Sequence, residues 1–247
     1  MSSINLQKKS EKVKIQLAKH NIREKITLRV GSCLDKSGSA EPFYLSGRNK
    51  PESDMEQLMS RLLAVAHNFD DNGEIDSWIF SNDVIEMPPA NASNYGTYVK
   101  DVIMGGKYKD WWQATSYAPA MKEITDFYFP GTVEKAKSFL GGMFSKKEAA
   151  PAASSDVPAL VFFVTDGAND DKRATEQAII DGQGKNIYWM MVGIGNPDYF
   201  SFIEQMADKY PNVGFVNFKN LDMDDEDMYD AILDGELSEW IKKVSKK

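Results

Sequence analysis

The apolar residues of this chain fall into two kinds of run, and their order along the sequence implies an architecture. Short runs rich in β-branched and aromatic residues occupy Ile26–Leu34, Ile75–Phe80, Ala159–Thr165, Asn186–Ile194 and Val213–Phe218, which is the composition of strands. Helical spacing appears between them. From Glu52 to Phe69, apolar residues recur at Met55, Leu58, Met59, Leu62, Leu63, Val65, Ala66 and Phe69, and Ser53 followed three residues later by Glu56 is a helix-start signal. Further helices are expected over Ser116–Phe129, with Pro119 in the first turn where no backbone donor is lost, over Asp171–Ile180, over Tyr199–Ala207, and from the acidic run Asp222–Asp230 through Ile241. Tyr95–Met104 also reads as helical. Val84–Met87 either extends the second strand or forms a short partner to it, and Pro88-Pro89 should break the chain. The run Ala159–Thr165 is apolar throughout, as in a central parallel strand covered on both faces. The predicted fold is therefore α/β: a doubly wound, mostly parallel, Rossmann-like sheet with helices on both faces.

Two stretches stand outside this pattern. Residues 1–25 form a lysine-rich N-terminal arm, in which Val13-Lys14-Ile15-Gln16-Leu17 alternates with period two and reads as a short strand or extended segment, with helix as the competing reading. Residues 130–157 interrupt the α/β alternation. A short amphipathic piece, Thr132–Phe139, leads there into an Ala/Pro/Ser/Lys-rich run, the composition of a flexible insertion. The remainder, 26–247, is read as one domain.

Composition narrows the function. A formal net charge of −8 and a pI near 4.9 argue against a broad nucleic-acid surface. One cysteine, Cys33, excludes an intramolecular disulfide and a cysteine-based zinc site. His20 is expected at the surface and His67 as a structural residue of its helix. The N-terminus lacks the apolar core of a signal peptide, and no stretch approaches the ~20 apolar residues of a membrane span; a cytoplasmic location is the expectation.

The candidate chemistry sits where strands end. The first strand runs into Asp35-Lys36-Ser37-Gly38-Ser39, one carboxylate and two hydroxyls around a tight turn, and the strongest strand ends in Asp166-Gly167. In open α/β sheets, sites lie outside the carboxyl ends of the strands at a switch in strand order, so Asp35 and Asp166 are candidates for a single site. An oxygen-only donor set of this kind suits a hard divalent cation. Walker-type and Gly-x-Ser-x-Gly sequences are absent.

Asp35-x-Ser37-x-Ser39, Thr115 ahead of a helix, and Asp166-Gly167 together resemble the metal-ion-dependent adhesion site of von Willebrand factor type A domains. The resemblance is greatest to those of TerF-like tellurium-resistance proteins, and runs from about residue 26 to 245. It implies that Ser37, Ser39 and Thr115 offer hydroxyls directly to the ion, while Asp35 and Asp166 act through bound water or as acceptors behind it. It implies Mg2+ as the ion, with Mn2+ or Ca2+ as alternatives. It also implies a protein partner, other Ter proteins among the candidates, that supplies an Asp or Glu carboxylate. The function expected is that of a non-enzymatic interaction module in tellurite and stress resistance; the alternative is a metal-dependent hydrolase or phosphotransferase at the same site, for which Lys36 is the nearest base and is expected to point away. Trp111 and Trp112 read either as a partner-binding rim or as core. One departure stands out: the family often has Gly-Gly-Thr or Gly-Thr where this chain has Gln113-Ala114-Thr115, and alanine does not take positive φ as cheaply as glycine.

Overall fold

The computed structural model describes residues 2–47, 50–70, 72–130, 157–233 and 235–245. Its strands are β1 (Arg29–Asp35), β2 (Ile75–Phe80), β3 (Val84–Ala90), β4 (Ala159–Thr165), β5 (Ile187–Ile194) and β6 (Val213–Phe218). They form one six-stranded sheet in the order β3-β2-β1-β4-β5-β6, parallel throughout except for the β2–β3 pair. Its helices are α1 (Ser2–Lys19), α2 (Asp54–Phe69), α3 (Ala118–Tyr128), α4 (Lys172–Gly182), α5 (Ser201–Lys209), α6 (Asp225–Leu233) and α7 (Gly235–Val244).

The period-two geometry of a strand divides the apolar residues between two cores. On β4, Leu160, Phe162 and Val164 face a core completed by α1, α2, α6 and α7, while Ala159, Val161 and Phe163 face a second core completed by α3, α4 and α5. Every residue of β4 and of β5 is buried. This explains their unbroken apolar runs: a strand covered on both faces has no polar side to alternate with. The expected cap of α2 is in place, with the Ser53 side chain accepting from the Glu56 amide at 3.2 Å.

Four local readings differ from the structure. The stretch Val13–Leu17 is not extended but lies within α1, where Leu6, Ser10, Val13 and Leu17 share the buried face and Ile15 is 58% exposed. The period-two pattern is incidental, because Ile15 is an apolar residue on the solvent side. The helix is held by Lys9 Nζ and Arg61 Nε, both donating to Asp225 Oδ1 of α6, and by Asn68 Nδ2 donating to Ser10 Oγ at 3.0 Å. Pro88 and Pro89 do not break the chain. They lie in β3, an edge strand, where a missing amide donor is tolerated. Tyr95–Met104 is turns followed by a single π-helical turn, Val99–Ile103, with the Lys100 amide donating to Glu56 Oε2 at 2.8 Å. The C-terminal helix is two, α6 and α7, and Gly235 begins the second with φ +55°. Of the expected insertion at 130–157, residues 131–156 lie outside the described residues, and with them the piece Thr132–Phe139.

Candidate metal centre

The strand order places the site. β1 is flanked by β2 on one side and β4 on the other, so the chain leaves β1 at the point where the winding reverses. The carboxyl ends of β1 and β4 are neighbours there, with Leu34 in register with Val164. Asp35, the last residue of β1, is fully buried beside Thr165, the last residue of β4. Thr165 Oγ1 donates to Asp35 Oδ2 at 2.9 Å, and the Ser37 amide donates to Asp35 Oδ1 at 2.8 Å. Tyr44 Oη donates to the Asp35 carbonyl at 2.7 Å. The aspartate thus folds the turn that follows it, which brings Ser37 Oγ and Ser39 Oγ within 3.2 Å of each other.

Asp166 follows β4 directly, and its charge is felt at Asp35. Burial first, and the Asp166 carboxylate second, raise the Asp35 pKa to about 7, against the lowering effect of the Ser37 and Thr165 hydrogen bonds. Among the described residues no cation pairs with Asp35 or Asp166, and the Ser37 hydroxyl, with Ser39 Oγ next to it, stands beside Asp35. This donor set fits a divalent cation, because the ion would supply the missing positive charge and accept neutral oxygens. Among the described residues no group of three or more His, Cys, Asp and Glu side chains could hold a metal. The donors gathered at this site are mainly hydroxyls, from Ser37, Ser39 and Thr115.

The glycine after Asp166 is required by the backbone. Gly167 has φ +99°, and a Cβ there would meet the Tyr199 carbonyl oxygen at 2.8 Å. Its amide donates to Thr165 Oγ1 at 3.1 Å, so one threonine hydroxyl ties Asp35, the Asp166-Gly167 turn and, at 2.7 Å, Tyr117 Oη.

Thr115 arrives from a third segment and is buried. The Gly38 amide donates to the Gln113 carbonyl at 2.9 Å, Ser37 and Gln113 form an isolated parallel bridge, and Ser81 Oγ donates to the Ala114 carbonyl at 2.8 Å. Asp170 holds Thr115 from the other side: its amide donates to the Thr115 carbonyl at 2.8 Å and its Oδ2 accepts from the Thr115 amide at 3.3 Å. Asn21 is the only non-glycine residue with positive φ among the described residues. Ala114 therefore needs no glycine-like conformation, and the departure from Gly-Gly-Thr carries no backbone penalty.

All five residues proposed from the sequence thus stand in segments that converge on one end of the sheet. Trp111 and Trp112 lie beside them, half-buried and packed on the edge of the core. Trp112 meets Tyr44 edge-on at 5.4 Å between ring centroids, and Trp111 meets Tyr108 at 6.2 Å. Lys36 is fully buried, with its Nζ on the Lys109 carbonyl and the Trp112 ring, and burial lowers its pKa to about 8.

Sequence reasoning missed the residues that hold the site together. Asp171 is the clearest. It stands just ahead of α4 yet caps α3, its Oδ1 accepting from the Tyr117 amide at 2.9 Å and its Oδ2 from the Ala118 amide at 3.0 Å. The acidic pair Asp170-Asp171 at a helix start was the available signal, but it pointed to the helix that follows rather than to one packed beside it.

Comparisons with known proteins bear on the family and the fold. The chain is 30% identical over 251 residues to the Bacillus subtilis (strain 168) protein YcbR, covering 100% of this chain and 90% of that protein. Among solved structures it resembles proximal thread matrix protein 1 of the mussel byssus, with TM-score 0.52 and 15% identity over 85% of this chain and 48% of that one. It also resembles an aerotolerance-related membrane protein of Bacteroides fragilis NCTC 9343, with TM-score 0.50 and 14% identity over 87% of this chain and 99% of the other. At such identities the structural matches speak to the fold. The family vWA-TerF-like, described as the vWA domain found in the TerF C terminus, matches residues 27–140 and 143–247. On that match the chain, with its Rossmann-like sheet and its hydroxyl-rich site at the β1–β4 switch point, belongs to the vWA-TerF-like family.

Proposed function

We propose that this chain is a non-enzymatic, divalent-cation-dependent protein-interaction module of the cytoplasm, serving a tellurite or stress-resistance system. Mg2+ is the ion we assign, with Mn2+ and Ca2+ as the ions to compare. One observation carries the reading: Asp35, fully buried and charge-frustrated by Asp166, anchors the turn that presents Ser37 and Ser39. A mostly neutral set of donors leaves a bound ion with much of its positive charge, and such an ion attracts an external carboxylate. An Asp or Glu of a protein partner is the natural source, and other Ter proteins are the first partners to try. Trp111 and Trp112 would form part of the rim on which that partner rests.

The non-enzymatic reading is supported by where the chain's two histidines sit. His67 lies in the last turn of α2, against Gly73, and His20 lies 3.6 Å from Asp230. Neither is placed to act as a base at Asp35. Among the described residues no helix is long and apolar enough to cross a membrane.

Calorimetric titration of Mg2+, Mn2+ and Ca2+ into the wild-type chain and into Asp35→Ala tests the reading. Binding is expected to be modest for the ion alone, since affinity follows ligand charge. It should strengthen when acetate is present as a surrogate for the partner's carboxylate, and vanish in Asp35→Ala. A wild-type chain that binds none of the three ions, with or without acetate, would overturn it.

A further inference from the structure

Lys36 lies between two residues of the metal site in sequence, and its side chain reaches the third segment. Its Nζ donates to the Lys109 carbonyl at 2.9 Å and sits 2.9 Å from the centroid of the Trp112 ring, with the Tyr44 ring at 5.3 Å. Glu41 and Asp110 act on it only at longer range, and among the described residues no carboxylate lies within ion-pair distance of it. An ammonium taken out of water without an ion pair is costly. The contacts that offset the cost are a backbone carbonyl and an indole face, and cation–π attraction is strongest when desolvated. Both belong to the segment that ends in Thr115.

We propose that Lys36 is the positioning residue of the metal site, a latch that holds the 109–115 segment against the end of β1 and so sets where Thr115 stands. The inference rests on the metal reading above. The latch acts alongside the Gly38 amide on the Gln113 carbonyl: Lys36 and Gly38 of one turn grip the same segment at its beginning and near its end. It also accounts for a threonine arm built on Gln113-Ala114. The arm is held by contacts from outside it and needs no special conformation within it.

The sign of the effect separates this role from simple electrostatics. A positive charge near a cation site opposes binding, so removing the ammonium would tighten binding if charge alone mattered. Positioning requires the opposite. In Lys36→Met, which keeps an apolar stem under Trp112 but has no ammonium, Mn2+ affinity by calorimetry should fall about tenfold or more, the scale of losses when groups that orient metal ligands are removed. Trp112→Leu, which removes the other half of the contact, should show a loss of the same sign. Because Lys36 acts through Thr115, the losses from Lys36→Met and Thr115→Ala should not add in the double variant, whereas those from Lys36→Met and Ser39→Ala should.

Amide hydrogen exchange of the ion-free protein supplies an independent readout. Lys36→Met should lower protection at the Gly38, Thr115 and Asp170 amides while leaving β4 and β5 as in the wild type. Unchanged or tighter Mn2+ binding in Lys36→Met, or full additivity with Thr115→Ala, would overturn the proposal. If the wild type binds no ion at all, the metal reading falls and with it the role given to Thr115. Unchanged protection in Lys36→Met would show separately that Lys36 is no latch.

Discussion

Removing the Asp171 carboxylate is the sharpest test of how the site is framed. This one side chain accepts from the Tyr117 amide just ahead of α3 at 2.9 Å, from the Ala118 amide that begins α3 at 3.0 Å, and from Thr175 Oγ1 of its own helix at 2.8 Å. It therefore joins the loop after β4 to the helix that begins three residues beyond Thr115. Loss of an N-cap costs about 1–2 kcal/mol, and hydrogen bonds to a charged group contribute about 1.5–3 kcal/mol each when well shielded. Asp171 is only half-buried, and water would replace part of what is lost. We therefore expect Asp171→Ala to destabilise the fold by about 2–3 kcal/mol. In a chain of this length each kcal/mol shifts the melting temperature by roughly 2–4 °C, so the expected drop is roughly 4–12 °C by calorimetry or circular dichroism. Asp171→Asn keeps one acceptor oxygen and should lose about half as much. An Asp171→Ala melting within about 1 °C of the wild type would refute the reasoning, since α3 would then be capped without its carboxylate.

Three further outcomes are expected. Asp35 binds its proton more tightly folded than unfolded, so the ion-free fold is relieved of strain as pH falls below about 7, and a cation must displace that proton. Mg2+ or Mn2+ affinity should thus rise between pH 6 and pH 8 with proton release near the lower end, and calorimetry in two buffers of different ionisation enthalpy would contradict this by showing pH-independent binding. Gly167→Ala puts a Cβ at φ +99° against the Tyr199 carbonyl; a loss of about 1–3 kcal/mol is expected, and a melting temperature unchanged from the wild type would show that the turn relaxes freely. Burial would raise the Asp225 pKa, but the hydrogen bonds from Arg61 and Lys9 outweigh it and hold the carboxyl below its ordinary value. The stability it contributes is present above the unfolded carboxyl pKa and lost as pH falls through the lower, folded one. Asp225→Asn should release α1, seen as proteolysis within residues 2–19, and it should flatten the acid limb of stability; an unchanged acid limb would count against the cluster.

Much of the site was legible in the chain because its chemistry is local. Asp35-x-Ser37-x-Ser39 is a single turn, and the aspartate shapes that turn by accepting from the Ser37 amide two residues on. The unbroken apolar run of β4 announced a strand buried on both faces, and the residue that follows it is Asp166. The misreadings have a common origin. Val13–Leu17, Pro88-Pro89 and Tyr95–Met104 are stretches whose local pattern is ambiguous, and their conformation was settled by what they pack against: Asp225 and Asn68 for α1, the open edge of β2 for β3, and the Glu56 carboxylate for the π turn.

Sequence alone therefore determined the alternation of strands and helices, the two-sided burial of the central strands and the donor types at the ends of β1 and β4. Each is written within a few neighbouring residues, through side-chain period, capping and turn chemistry. Tertiary structure decided what depends on contacts across long separations. It made β1 and β4 neighbours and so set Thr165 against Asp35, 130 residues away. It turned Asp171 to cap α3, and it folded Lys36 under Trp112. Hydrogen bonds and ring contacts of this kind take their partners from proximity in space, and only the packed sheet brings those residues within reach of one another.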